Sequence, residues 1–507
     1  MPFSPVSLMF VAPPDSELFA FLQEAHRLVE REPQVLERID ADLDRHGQEK
    51  KALRLEDAEW RQARTLGLPT VPWEPARPEA EDLRLAGGRP RTPAYVVFMF
   101  LIGRGYHGGF KSAEATTLLL ESTTLAVFLT NQGMTMPGRS TLNELVNAVS
   151  NETREEILAA QLRMVLRERW DDLSTLLVDS TAVAGNTQWP KDSQLMVDLV
   201  ARLLRRGAKL ERLGLAPIAD PIADKLLRRM MSLHKRISMG GGKPGSQRER
   251  KKLYRKLLDL ARRAAERLEP ELQRVEKALA KLDVPPSRRQ RVARLVQWLR
   301  TDLVNLGRVR TCCQARVMDG RKVPVGEKVL SVSDPDVGFI AKGGREPVVG
   351  YKPQLGRSAG GFVAGLILPQ GNAADSGQLV PMFDQVVGRT GVVPQTVSVD
   401  DGYSSREGRG QLRENGVKVM SISGAKGKNI TPLEEWDDPE YVAARNGRSA
   451  VESLMFSLKD GFDFGRVARR GLENVRAELL EKVLAYNFCR MAVCRRAAAE
   501  AGQRLAS

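Results

Sequence analysis

Three acidic side chains stand out by the company they keep. Asp179 lies in the apolar, β-branched stretch STLLVDSTAVA at 174–184. Asp400 ends the short apolar run VVPQTVSVD and leads into the turn-forming DGYSS. Glu452 belongs to RNGRSAVESLMFSLKDGF at 445–462, where Val451, Leu454, Met455 and Leu458 recur at the spacing of a helix's core face. Arg448 stands four positions before Glu452 and Lys459 seven after, so one helix can carry all three along one side. A carboxylate in a buried strand is costly unless it is paired or bound to metal. Hard carboxylate oxygens suit Mg²⁺ or Mn²⁺, and two such ions about 3.5 to 4 Å apart can activate water, neutralise a transferring phosphate and assist a departing 3′ oxygen. Singly, each acid has an ordinary explanation, a turn cap for the aspartates and a solvated helix charge for Glu452. The order of the three, with Arg and Lys flanking the last, argues for a shared site.

The elements that must position them can be read along the chain. STLLVDSTAVA has the pattern of a buried central strand. From 346 onward, EPVVGYKPQLGRSAGGFVAGLILPQ holds two alternating stretches joined by a Gly/Ser-rich turn, a hairpin. GNAADSGQLVPMFDQVVGRT begins with a capping serine or aspartate and continues with helical periodicity. Next come the strand ending at Asp400, a helix in REGRGQLRENG, a strand in VKVMSISG and the helix of Glu452. Strand, helical insertion, two strands, helix, strand, helix, strand, helix is, without its insertion, the order of a ribonuclease H-like α/β fold, a mixed sheet flanked by helices. In that topology the first and fourth strands are parallel neighbours. Asp179 and Asp400 then reach one sheet edge, and the last helix brings Glu452 to the same point.

Over residues 90 to 495 the chain resembles DDE-type transposases of bacterial insertion sequences, whose last catalytic helix carries a tyrosine, arginine, glutamate, lysine signature. Arg448, Glu452 and Lys459 have the signature's spacing, Asp400, Asp401, Gly402 and Tyr403 match its Asp-x-Gly-Tyr, and VDSTAV with the trailing NTQWPKDSQL is similar to the segment of the first acid. The tyrosine expected three residues before Arg448 is Arg445, a residue that can also hold a phosphate. Asp401 adjoins Asp400, which leaves two aspartates for the second position; Asp400 is taken because it stands two before Gly402 and continues the strand. The resemblance implies catalysis by Asp179, Asp400 and Glu452 as ligands of two Mg²⁺ or Mn²⁺ ions, Asp179 bridging them, with Arg445, Arg448 and Lys459 holding phosphate. It implies cleavage at terminal inverted repeats and strand transfer into target DNA by a homodimer on paired ends. Alternatives are a nuclease of the same fold that cuts without joining and a non-catalytic DNA-binding protein derived from a transposase.

Charge gives an independent pointer. The 507 residues carry 78 basic and 63 acidic side chains, net +15. Residues 201–300 alone hold 28 basic and 10 acidic, net +18, so the remainder is slightly acidic. Runs such as RERKKLYRKLLDLARRAAERLEPELQRVEKALAKL read as long helices with an apolar stripe and Arg or Lys elsewhere. A solvated hairpin is one explanation; phosphate contacts are favoured because so large a surplus exceeds what solubility needs, and they fall on Arg248, Arg250, Lys251, Lys252, Arg255 and Lys256. SMGGGKPGS at 238–246 is no phosphate loop. A Walker loop needs a glycine at the position of Ile237 and a Ser or Thr after Lys243.

The domain organisation follows. Residues 1–90 form a helical region and a Pro-rich linker around PTVPWEPARPEAED, 91–170 a helical, DNA-binding domain, 171–187 with 320–507 the catalytic domain, and 188–319 its basic helical insertion. Within 110–152 two helices about a glycine-bearing turn put Arg139, Ser140, Thr141 and Asn143 at the start of the second, either a helix-turn-helix reader of double-stranded DNA or plain helix packing. The longest apolar run, AYVVFMFLI at 94–102, is half of what a bilayer crossing requires, and no leader is evident, so a cytoplasmic, nucleoid-associated protein is expected. Cys312, Cys313, Cys489 and Cys494 and the four histidines have no metal spacing.

Overall fold

The computed structural model describes residues 17–67, 91–108, 112–239, 246–341 and 346–506. The Pro-rich linker and most of the glycine-rich 238–246 loop lie outside these residues. The chain forms two compact units: one of 1–46, 89–186 and 336–507, the other of 47–88 and 187–335.

In chain order the first elements are α1 (Glu17–Arg31), α2 (Gln34–Thr65), α3 (Ala94–Tyr106), α4 (Ser112–Glu121), α5 (Thr123–Asn131), α6 (Arg139–Ala148), α7 (Asn151–Arg167), β1 (Thr175–Ser180) and β2 (Val183–Ala184). The basic segment then supplies α8 (Asp192–Gly207), α9 (Pro221–Met239), α10 (Ser246–Ala280) and α11 (Pro286–Cys313). After it come β3 (Gly338–Ile340), β4 (Val348–Tyr351), β5 (Gln354–Ser358), β6 (Val363–Ile367), α12 (Leu379–Thr390), β7 (Thr396–Val399), α13 (Arg406–Glu414) and β8 (Val419–Ile422). The chain closes with α14 (Ala425–Ile430), α15 (Leu433–Trp436), α16 (Pro439–Gly447), α17 (Ala450–Phe462) and α18 (Leu472–Ala506).

Five strands form a mixed sheet in the order β6-β5-β1-β7-β8. β5 is antiparallel to both β1 and β6, whereas β7 is parallel to both β1 and β8. This is the ribonuclease H-like α/β sheet, with the first strand in the middle and the later parallel strands to one side. The expected hairpin is β5–β6, turned at Gly361, whose φ of +88° is open to glycine. The residues before it depart from expectation. Val348–Tyr351 leaves the main sheet and pairs with β2 and β3 in a second, three-stranded sheet.

The face of β1 opposite Asp179 is closed by α12. Gly356 and Gly365 lie beside Val178 in the sheet, and a methyl on either would meet Met382 Sδ at 3.1 and 2.3 Å. Successive strand side chains alternate, so Asp179 faces the other way, toward the side where α17 contacts β1 and α16 contacts β7.

The helical region expected to stand apart belongs to the same unit as the sheet. Every residue from Ala94 to Gly105 is buried, because α3 packs against α18; the apolar run is core. The helices touch so closely that a Cβ on Gly105 would fall 1.9 Å from the Glu481 carbonyl oxygen. Beside this contact the buried Glu481 carboxylate accepts from Arg104 and Arg154, at 2.7 Å each, and from Arg469 at 2.5 Å. Burial alone would raise its pKa, yet the three guanidiniums hold it well below the ordinary carboxylate range.

In the second unit α8, α9, α10 and α11 share a core that includes Leu199, Leu203, Met230, Leu257, Leu268, Leu299 and Leu306. Its boundary falls at 335, past the expected 319, because Val329 and Val332 still pack on that core. No helix among the described residues is long and apolar enough to cross a membrane.

Candidate active site

Asp179 is the fifth residue of β1, only 9% exposed, and opposes Leu355 of β5. Its Oδ1 accepts from the Ser180 N–H at 2.7 Å. Val178 pairs with Val399 of β7, so one step further along these parallel strands Asp179 stands beside Asp400. Neighbouring strands are separated by about 4.8 Å. Asp400 has left the ladder: its extended backbone opens the 3₁₀ turn Asp401–Tyr403, and its Oδ1 accepts from the Gly402 N–H at 2.9 Å.

Asp401 is engaged elsewhere. Its Oδ1 accepts from the Gly427 N–H at 2.9 Å, tying the turn to α14. Asp401 thus serves a backbone connection after β8.

Glu452 lies in the first turn of α17, a helix that buries Val451, Leu454, Met455 and Leu458, the stripe expected from sequence. The continuous helix expected over 445–462 is interrupted. α16 ends at Gly447, and the N–H groups of Val451 and Glu452 bond three residues back, to the carbonyls of Arg448 and Ser449. The Ala444 carbonyl accepts from Ser398 Oγ at 2.9 Å, pinning the end of α16 to β7. Gly, the poorest ordinary helix former, marks the break.

Arg448 sits at this junction and spans two of the acids. Its Nη1 is 3.5 Å from Asp179 Oδ2 and its Nη2 donates to Glu452 Oε1 at 2.8 Å. Asp179, Thr181, Glu452, Phe456 and Lys459 line one cavity of about 670 Å³, walled on its far side by Ile340 and Val348 of the small sheet. The donors are carboxylate oxygens of the kind a hard divalent cation prefers, and Asp179 and Glu452 already share one cationic group, so their type and charge fit such an ion. Among the described residues, no three acids, histidines or cysteines stand close enough to form a metal shell by themselves.

Arg445, which replaces the signature tyrosine, stacks its guanidinium over Trp436 with 4.4 Å to the ring centroid. Arg139, Ser140 and Thr141 are exposed at the start of α6, whereas Asn143 is half-buried and its Oδ1 accepts from Thr116 Oγ1 of α4 at 2.7 Å. The expected helix pair is three helices there, since the first breaks at Ser122, which caps α5. In the second unit, Arg248, Arg250, Lys251, Lys252, Arg255 and Lys256 are all exposed on α10, while Leu253, Tyr254 and Leu257 face its core.

Sequence reasoning passed over a polar group behind Asp400. The Tyr403 hydroxyl donates to Gln354 Oε1, Gln354 Nε2 donates to Asp375 Oδ1 at 2.8 Å, and Lys352 Nζ pairs with the same oxygen at 2.8 Å. Asp375 had looked like a helix cap; it opens a 3₁₀ turn before α12 and makes no cap bond. Burial, and after it the carboxylates of Asp375, Asp179 and Asp400, push the Tyr403 hydroxyl far above its usual range. The available signal was Tyr403 itself, in Asp-x-Gly-Tyr.

A ribonuclease H-like sheet with acids at the ends of its central parallel strands and on its closing helix defines a class of nucleic-acid-processing fold. Residues 311–488 match the family described as the transposase DDE domain, and the chain carries such a DDE-type transposase domain. The match includes Asp400, Arg448, Glu452 and Lys459; Asp179 precedes it. Comparison with curated proteins and with solved structures finds no match.

Proposed function

We propose that this protein is a DNA transposase that cuts at the ends of its element and joins the freed 3′ ends to target DNA. The observation that carries the reading is the convergence of a strand acid and a helix acid, Asp179 and Glu452, on one cationic group, at the strand end where Asp400 stands alongside. Asp179, Asp400 and Glu452 would hold two Mg²⁺ or Mn²⁺ ions, which would activate a water or a DNA 3′ hydroxyl, neutralise charge at the phosphate and stabilise the departing oxygen. Lys459, which lines the cavity, and Arg448, paired with its two lining acids, hold phosphate oxygens, and Arg445, stacked over Trp436, meets the backbone of the element's end.

The exposed cations of α10 bind the DNA backbone without regard to sequence. Arg139, Ser140 and Thr141 are exposed at a helix start, as a major-groove reader requires, while the Thr116 bond commits Asn143 to packing. Pairing two ends calls for two copies of the chain, working on DNA in the cytoplasm.

The test uses purified protein, Mg²⁺ and DNA carrying the cognate terminal repeats. The wild type nicks at the element boundary and yields joined products with a target duplex; Asp179→Asn binds the same DNA and leaves it whole. Equal cutting by Asp179→Asn removes the assignment, and cutting without joined products leaves a nuclease of the same fold.

A further inference from the structure

Asp400 presents a mechanical problem. It lies one residue beyond the last ladder partner of β7, and the reading above requires its carboxylate to meet those of Asp179 and Glu452 within a fraction of an ångström. The capping bond to Gly402 fixes the carboxylate only relative to its own turn. Something must fix the turn.

The turn is anchored through Tyr403. This side chain and Gln354 are both fully buried, so each polar atom must find a partner inside the protein. An amide can present either its oxygen or its nitrogen to a hydroxyl; here the choice is made by Asp375. Its carboxylate takes the Gln354 N–H₂ at 2.8 Å, which leaves Gln354 Oε1 to accept from Tyr403. Asp375 is in turn held by Lys352 Nζ at 2.8 Å, and that ammonium also donates to the Ala373 carbonyl at 3.2 Å. Gln354 opposes Ser180, the neighbour of Asp179, so the same chain ties the Asp400 turn to the strand end that carries the first acid. Gly402 is pressed between the two ends of the arrangement: a Cβ there would lie 3.0 Å from Asp400 Oδ1 and 3.2 Å from Asp375 Oδ2.

We infer that Lys352, Asp375, Gln354 and Tyr403 form a positioning chain that sets the Asp400 carboxylate relative to Asp179, and that its removal weakens divalent-ion binding while leaving DNA binding intact. The inference rests on the proposed role of Asp179, Asp400 and Glu452. None of the four touches the reacting phosphate; they act through Asp400.

The experiment measures Mn²⁺ binding by calorimetry on the full chain with uncleaved end DNA, together with DNA affinity and Mg²⁺-dependent nicking, for the wild type, Asp179→Asn, Tyr403→Phe and Asp375→Asn. Supporting outcomes are a loss of Mn²⁺ affinity in Tyr403→Phe and Asp375→Asn of about tenfold or more, a matching rise in the Mg²⁺ needed for half-maximal nicking, recovery of the rate at high Mg²⁺, and unchanged DNA affinity. Unchanged Mn²⁺ affinity with a slower rate or a lower melting temperature overturns the inference and leaves a purely structural network. If Tyr403→Phe does not fold, Asp375→Asn, which keeps the side-chain shape, decides alone. Asp179→Asn separates the two levels: if it binds Mn²⁺ and nicks like the wild type, the parent reading fails and takes this one with it; if it loses both, a null result from the other variants counts against the positioning chain only.

Discussion

Arg448 connects Asp179 of β1 to Glu452 of α17, with one guanidinium nitrogen 3.5 Å from the first carboxylate and another 2.8 Å from the second. Arg448 and Ser449, between α16 and α17, keep helical backbone angles, so Arg448 stands the ordinary four residues before Glu452 on one side while its other nitrogen reaches the sheet. Arg448→Ala removes the bridge and a proposed phosphate-holding group together. Nicking should fall by about 100-fold or more, the usual cost of losing one preorganised donor at a developing charge. Arg448→Lys should recover only part of the rate, because an ammonium cannot make two parallel bonds. Single-turnover rates on end DNA measure both, and wild-type rates in Arg448→Ala would refute the role.

A second prediction concerns α10. Its six exposed cations, Arg248, Arg250, Lys251, Lys252, Arg255 and Lys256, precede or flank a stripe of buried Leu253, Tyr254 and Leu257 that holds the helix in its unit. Changing all six to glutamine should leave that core and the melting temperature nearly unchanged. If each neutralises one phosphate, the plot of log affinity against log salt becomes shallower by up to about 5. Fluorescence anisotropy from low to high salt gives the slope, and an unaltered slope would assign this face to assembly rather than to DNA.

The buried Glu481 cluster gives a pH dependence with a definite sign. Its carboxyl is held below the ordinary value of 4.5, by Arg104 first and then by Arg469 and Arg154, against the opposing effect of burial. A depressed carboxyl contributes stability that is fully present above its unfolded pKa and is lost as pH falls from there toward the folded value. Urea titrations from pH 7 down to pH 3 should therefore show the wild type losing stability below about pH 4.5. Glu481→Gln should already be weaker by roughly 3 to 5 kcal/mol at pH 7, because three arginines lose their shared counter-charge, and should lose less on acidification. Parallel pH curves for the two proteins would rule the cluster out as a source of acid sensitivity.

How much of this was legible in the sequence varies with the physics of each element. The main sheet was readable, because β-branched alternation around Asp179 and Asp400 and the Gly-rich turn before Phe362 are local signals with one structural meaning. The basic insertion was readable from charge and helical period. The small sheet was hidden: Val348–Tyr351 looks like the start of the hairpin, and only long-range pairing with Val183 and Phe339 diverts it. The anchoring of α16 to the sheet was hidden as well, since Ser398 bonds the Ala444 carbonyl 46 residues further along the chain. Lys352, Asp375 and Gln354 carry no periodicity that marks them, and their association is a product of the folded sheet end.

The adjacent aspartates at the end of β7 allow a sharp contrast. Asp400 Oδ1 bonds only within its own turn, whereas Asp401 Oδ1 takes the Gly427 N–H at 2.9 Å, and Gly424 packs so tightly on Asp401 that a Cβ there would lie 2.6 Å from its carboxyl carbon. Asp400→Asn preserves the shape of the turn and removes one proposed ligand charge, so it should melt near the wild type, bind end DNA normally and fail to nick. Asp401→Asn weakens a charge-assisted bond to a backbone N–H and should cost about 1 to 2 kcal/mol of stability while retaining measurable nicking with an unchanged Mg²⁺ requirement. Melting curves and Mg²⁺ titrations of the two variants separate the roles, and the reverse pattern, a stable but inactive Asp401→Asn beside an active Asp400→Asn, would transfer the second metal-binding position to Asp401.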